Sequence, residues 1–210
     1  MSSYSEGQTH QLMEALEAHN FSADDVTKLG QYDRLLAIRE VVNNRARIVP
    51  IEFQPILRLI SGEHNLIIPA TDGSALISQA EDVFNGWIDP DFVNWGANET
   101  SSATPDTPVQ VCELARDAIF AQMLDSICAD LERICLAQSQ IIGFVRKYAD
   151  WLHPRGWATF FPFSSKGKFF VALVRTGDDG RLLVRVSRRE RGDIWSAESR
   201  ARIVLPQLRF

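Results

Sequence analysis

The feature that most narrows the fold is the alternation of apolar runs and turn signals between Trp157 and Leu208. Residues 157–163 are apolar and aromatic, with Pro162 near the end, and Ser164-Ser-Lys-Gly167 reads as a turn. Phe169–Val174 is an unbroken apolar run of strand length. Its β-branched and aromatic side chains suit a pleated, buried surface. Gly177-Asp-Asp-Gly180 is a second turn, because Asp-Gly tolerates the positive φ that tight hairpins need. The third run alternates: Leu182, Val184 and Val186 point one way, and Arg181, Leu183, Arg185, Ser187 and Arg189 the other. A loop around Gly192 and Asp193 leads to a fourth run, Ala201–Leu205, closed by Pro206. Arg200 and Arg202 share a side of it by the same alternation. These signals predict a C-terminal antiparallel sheet of three to four strands, with arginines on one side. A sheet of that size needs a cover on its apolar face.

The cover is expected from upstream helices. Thr9–Ala18 is amphipathic, and Ser22-Ala-Asp-Asp25 has the composition of a helix start. Tyr32–Val42 continues in helical register. Arg47–Phe53 and Leu66–Ile68 are short strand candidates, and Ser74–Phe84 is spaced for one helical face. Thr107-Pro-Val-Gln110 reads as a cap with proline at the first helical position. From Phe120 the register steps by four and three through Leu124, Ile127, Leu131 and Ile134, then Gln138, Ile141, Val145, Tyr148 and Leu152. That register predicts a helical pair, broken near Leu136–Ser139 and ending before Pro154, whose stripe forms a core seam; a homodimeric coiled coil is the minority reading. The fold class expected is therefore α+β. It comprises an acidic helical N-terminal region with short strands over 1–96, a linker over 97–107, and a helical pair plus antiparallel sheet over 108–210.

Charge is uneven. Residues 1–107 hold six basic and sixteen acidic side chains, whereas residues 155–210 hold twelve and five. Such asymmetry marks either an anion-binding end or two halves that neutralise each other. No apolar run approaches the roughly 20 residues of a membrane span. The segment Met1-Ser-Ser-Tyr-Ser-Glu6 lacks the features of a signal peptide, so a cytoplasmic protein with no membrane partner is expected. Cys112, Cys128 and Cys135 form no CxxC pair and have no nearby histidine; they read as reduced core thiols in helices, not zinc ligands. His10, His19, His64 and His153 have no spaced partner. Asp89 and Asp91 flank Pro90 between Trp87 and Trp95, a pattern of turns and helix caps that also occurs in metal or hydrolytic sites. No phosphate-binding glycine loop or nucleophile elbow is present, and no cofactor is expected.

Several stretches carry a resemblance: Phe21-Ser-Ala-Asp-Asp-Val-Thr-Lys-Leu-Gly30, the Asp72-Gly-Ser segment leading to Trp87-Ile-Asp-Pro-Asp-Phe-Val-Asn-Trp95, Trp151-Leu152 with Ala158-Thr-Phe-Phe161, and Val204-Leu-Pro-Gln-Leu208. Together they resemble a family of uncharacterised bacterial proteins from the genomes of uncultured candidate phyla. The family has a hydroxyl side chain where the second central helix begins, and Ala137 stands there in this chain. The resemblance implies no activity, cofactor or catalytic residue. The residues themselves lead to a non-enzymatic binding protein, its contact surface formed by Arg181, Arg185, Arg189, Arg200 and Arg202 and its partner an acidic protein surface or nucleic acid. A metal-dependent enzyme or effector with its site at the Asp89–Asp91 loop is the alternative, and a structural homodimer the third.

Overall fold

A computed structural model describes residues 4–31, 35–43, 45, 55–154 and 156–207, and the structural statements below concern these. The chain divides into two compact units, Met1–Glu52 and Phe53–Phe210. The strand candidate at 47–53 lies outside the described residues.

The first unit contains α1 (Glu6–Ala18), α2 (Ala23–Gln31) and α3 (Leu35–Val42). Hydroxyl caps start the first two. The Ser5 hydroxyl accepts the Gln8 N–H, and the Gln8 side chain accepts the Ser5 N–H. At Ser22 the hydroxyl accepts the Asp25 N–H while the Asp25 carboxylate accepts the Ser22 N–H. The Ser22 hydroxyl, donating to the same carboxylate at 2.6 Å, and then the Ser22 N–H hold the Asp25 carboxyl below its usual range. Neither α1 nor α2 buries a residue.

The second unit is built on a mixed sheet of eight strands. They are β1 (Leu57–Leu59), β2 (Leu66–Ile68), β3 (Trp87–Ile88), β4 (Thr107–Leu114), β5 (Thr159–Ser165), β6 (Lys168–Thr176), β7 (Leu182–Arg188) and β8 (Arg202–Pro206). Their order is β1-β4-β8-β5-β6-β7-β3, with β2 also on β4. The pairs β3/β7 and β5/β8 are parallel and the others antiparallel. The fold is α+β, but the expected sheet of three to four antiparallel strands is corrected: β5 to β8 are half of a larger sheet. The Ser165–Lys168 hairpin turns on Lys166 (φ 50°) and Gly167 (φ 68°), both in the positive-φ region that matches strand twist.

The segment read as a capped helix from Thr107 is strand β4 instead. Val109 and Val111 enter one core while Cys112 and Leu114 enter the other. A strand buried on both faces shows no alternation, so its pattern does not distinguish it from helix. Pro108 stands at the strand's start, where its carbonyl accepts the Gln207 N–H just beyond β8, so its missing donor removes no interior rung. The expected Ser74–Phe84 helix reduces to one 3-10 turn, Ile77–Gln79. Residues 97–107 do not behave as a linker. Ala97 is fully buried, and Thr71 and Thr104 exchange both backbone hydrogen bonds, at 2.9 and 2.8 Å.

The long apolar stripe divides between the two faces of the sheet. Phe120, Leu124 and Ile134, from α5 (Phe120–Asp125) and the 3-10 turn Leu131–Ile134, pack with Phe160, Val171, Leu173 and Ile203. Ile141, Val145 and Leu152, from α6 (Gln138–Lys147) and the segment after it, pack on the other face with Phe161, Phe163, Val174 and Val204. The stripe is thus neither one helix nor a coiled-coil seam. The chain changes faces at Cys135–Ala137. There β5 and β8, paired only at Thr159/Arg202 and Phe160/Ile203, have diverged. The Leu136 N–H donates to the Pro162 carbonyl at 2.9 Å. Pro162 lies on β5 where that strand has lost its neighbour on this side, which is where an edge strand accepts proline. Helix α6 then begins as the break in the stripe predicts. Ala137 occupies the cap position, and the Gln140 side chain accepts its N–H at 2.9 Å.

Candidate anion-binding cleft

The five arginines do not form one surface. Arg181 lies in the β6–β7 turn and pairs with Asp179 at 3.3 Å. Arg185 is exposed on β7, its guanidinium 5.6 Å from the Trp87 ring centre. Arg189 follows β7 and makes a two-pronged bond to Asp125 at 2.6 and 2.8 Å. Arg200 and Arg202 stand at the start of β8, well away in the strand order, and both line one cavity. The alternation that placed Arg185 and Arg202 outside the apolar face of one small sheet fails because β7 and β8 are separated by β5 and β6.

Register builds this second place. Arg58 on β1, Glu113 on β4, Arg202 on β8 and Thr159 on β5 lie directly opposite one another in successive strand pairs. The row continues inward as Val174 and Val184, both fully buried, so a charged row at one end becomes core at the other. Arg58 donates to Glu113 at 2.7 Å. Arg202 donates from Nη1 to the carbonyls of Trp151 and Leu152, each at 2.9 Å. These carbonyls close the segment after α6, so the guanidinium is held by backbone rather than by a carboxylate. Burial lowers the Arg202 pKa, with Glu113 opposing the shift. Its Nε is buried and has no hydrogen-bond partner among the described residues. Native structures seldom leave such a donor unpaired unless a ligand, ion or water completes it.

The cavity in front of this row measures about 500 Å³. Glu113, His153, Pro154, Trp157, Glu198, Ser199, Arg200 and Arg202 line it. His153 is buried, and its backbone N–H donates to the Thr159 hydroxyl at 2.9 Å. The buried Ser199 hydroxyl donates to the Ser196 carbonyl at 2.7 Å. That bond belongs to the 3-10 turn Ala197–Ser199, which presents Arg200. Arg200 has φ 48° and ψ 36°, a left-handed conformation that costs a side-chain-bearing residue about 1 kcal/mol or more. Its side chain is exposed and has no ion pair among the described residues. Trp157, half exposed, stands at the rim. Two arginines and two carboxylates, Glu113 and Glu198, line the cavity, and Glu113 is shared with Arg58 outside it.

The Asp89–Asp91 loop is arranged differently. One Asp89 oxygen accepts the Asp91 N–H at 3.1 Å, and the other approaches the Val186 N–H at 3.4 Å. Asp91 opens the short helix α4 (Asp91–Asn94) and accepts from Asn94. Both carboxylates therefore serve local backbone and cap geometry. No group of three or more His, Cys, Asp or Glu side chains suited to a metal ion occurs among the described residues. In the N-terminal unit an open apolar hollow of about 620 Å³ is lined by Phe21, Leu29 and Ile38, with Asp25 and Lys28 beside them. It offers no buried polar group to orient a ligand. The thiols are packing groups: burial raises Cys112 to about 11, and burial with the Glu132 charge raises Cys135 to about 12.

Sequence reasoning singled out Arg200 and Arg202 but not Glu113, His153, Trp157 or Ser199. Glu113 was hidden inside a segment read as helix. Ser199 adjoins Arg200 in sequence, whereas His153 and Trp157 reach the arginines only through the β4/β8/β5 pairing. No protein-family model, curated protein or solved structure was found to match this chain. Among the described residues no helix is long and apolar enough to cross a membrane.

Proposed function

We propose that this protein is a non-enzymatic binding protein whose ligand is a small molecule carrying an oxyanion, phosphate or carboxylate, held by Arg200 and Arg202. The observation that carries this reading is the Arg202 guanidinium. It is anchored to two backbone carbonyls at 2.9 Å, retains a buried unpaired Nε, and stands beside an arginine held in a strained conformation without a counter-ion. Planar guanidinium groups are the donors best matched to carboxylate and phosphate oxygens. Backbone strain that the fold maintains is characteristic of ligand clamps.

The test is thermal unfolding of the full chain in inorganic phosphate and, separately, in citrate, at constant ionic strength. Comparing the two distinguishes phosphate from carboxylate as the preferred oxyanion. At about a hundred times Kd a ligand bound only to the native state adds roughly 2.7 kcal/mol. For a domain of this size that raises Tm by about 5–11 °C. Arg202→Ala and, independently, Arg200→Ala are expected to abolish the rise. Arg200 bonds to no carboxylate, so its variant keeps the fold and serves as the control for Arg202. No rise with either ion, or a rise that persists in both variants, overturns the reading.

A further inference from the structure

Among the described residues of the second unit, the sheet face that carries α5 holds a hydrophobic core at only one end. The core beneath α5 draws its buried residues from β4, β8, β5 and β6, and includes none from β7 or β3. On that face the β7–β3 end presents Arg175, Leu183 and Trp87 in one cross-strand row. The next row holds Leu173 and Arg185. Arg181 begins the same side of β7. Gly86 lets β3 lie against β7: a Cβ there would come within 3.0 Å of the Leu182 carbonyl and 3.1 Å of the Arg181 side chain. The result is a tryptophan with 41% of its surface exposed, with the Arg185 guanidinium set over its ring. Arg175 and Arg185 have no carboxylate partner among the described residues. Arg181 is tied only to Asp179, in a solvent-exposed pair of the kind that contributes little.

We propose that this bare end of the sheet binds single-stranded nucleic acid, independently of the Arg200–Arg202 cleft. Three guanidinium groups supply phosphate contacts and an indole supplies a stacking surface. That combination recognises single strands without needing pockets, because every base has a π-face and every nucleotide a phosphate. Although the whole chain is acidic at −5, three cations of its C-terminal quarter, Arg175, Arg181 and Arg185, lie on this strand edge, and Arg200 and Arg202 lie at the cleft. An acidic peptide would use the same charges but gain nothing specific from the indole face.

The experiment titrates a fluorescein-labelled oligo(dT) of about 15 nucleotides with the full chain and follows anisotropy, together with tryptophan quenching. Three phosphate contacts predict a slope of log affinity against log salt of about −2, at roughly 0.7 per contact for a single strand. Arg175→Ala with Arg185→Ala is expected to weaken binding at least tenfold at low salt and to flatten the slope by about 1.4. Trp87→Phe is expected to remove most of the quenching. Arg116→Ala, at an exposed arginine outside both sites, is expected to leave binding unchanged. Unaltered circular dichroism and Tm in the surface variants exclude misfolding as the cause. The proposal is overturned if the wild-type chain does not bind oligo(dT), if the arginine double variant binds as the wild type does, or if a poly-glutamate peptide competes with oligo(dT) mole for mole through the same residues.

Discussion

Gln138 is the polar side chain on which the second unit most depends. It opens α6 and is buried at 4% exposure. Its Oε1 accepts the Ile77 N–H at 3.0 Å, and its Nε2 donates to the carbonyls of Ala97 and Glu99 at 3.2 and 3.1 Å. One amide thus ties two segments, the 3-10 turn at Ile77 and the loop at Ala97–Glu99, to the helix that covers the central strands. In Gln138→Ala the buried Ile77 N–H and Ala97 carbonyl lose their partners, while Glu99, being exposed, turns to water. Each buried orphan costs about 1–3 kcal/mol, so the loss is about 4 kcal/mol, a large share of a typical domain stability of about 5–15 kcal/mol. At about 2–4 °C per kcal/mol, Tm falls by roughly 8–16 °C. Calorimetry of the full chain measures this, and hydrogen exchange at the Ile77 amide locates it. Gln138→Met restores the lost volume without the bonds and is expected to remain most of the way to the alanine value. If both variants unfold within about 2 °C of the wild type, Gln138 does not hold these segments and the reasoning is wrong.

Two further predictions concern single positions. Ala137→Ser supplies the missing hydroxyl acceptor at an extended cap (φ −68°, ψ 152°) and is expected to stabilise the protein by about 1 kcal/mol, read as a rise in the denaturant midpoint with an unchanged slope. Cys112, with its thiol raised to about 11 by burial, is expected to resist iodoacetamide at pH 7.5 in the native state and to react on unfolding. Because the folded-state value lies above the unfolded one, Cys112 favours the native state below about pH 9 and loses that contribution as pH rises through 11. A pH–stability profile identical in Cys112→Ala and wild type between pH 8 and 11 refutes the linkage.

Local chemistry determines much of the chain's local structure. The Ser164–Gly167 and Gly177–Gly180 turns, the strands they separate, the alternation on β7, the cap at Ser22 and the restart of helix near Ser139 all depend on neighbours within a few residues, so residue type and spacing suffice to read them. Three things depended on partners far away. Thr107–Leu114 is a strand because it lies between β8 and the two short strands β1 and β2, and burial on both sides erased its period. The Phe120–Leu152 stripe marks every apolar position correctly yet serves two cores, because the chain passes through the gap where β5 and β8 part; periodicity reports that a side chain is buried, not which side of a sheet buries it. The arginines were found as residues and misjudged as a group. Arg189 meets Asp125 of α5, and strand order puts Arg185 beside Trp87 and Arg202 opposite Glu113. That pairing is a property of sheet register, which joins residues roughly ninety positions apart and leaves no mark in the local pattern of either.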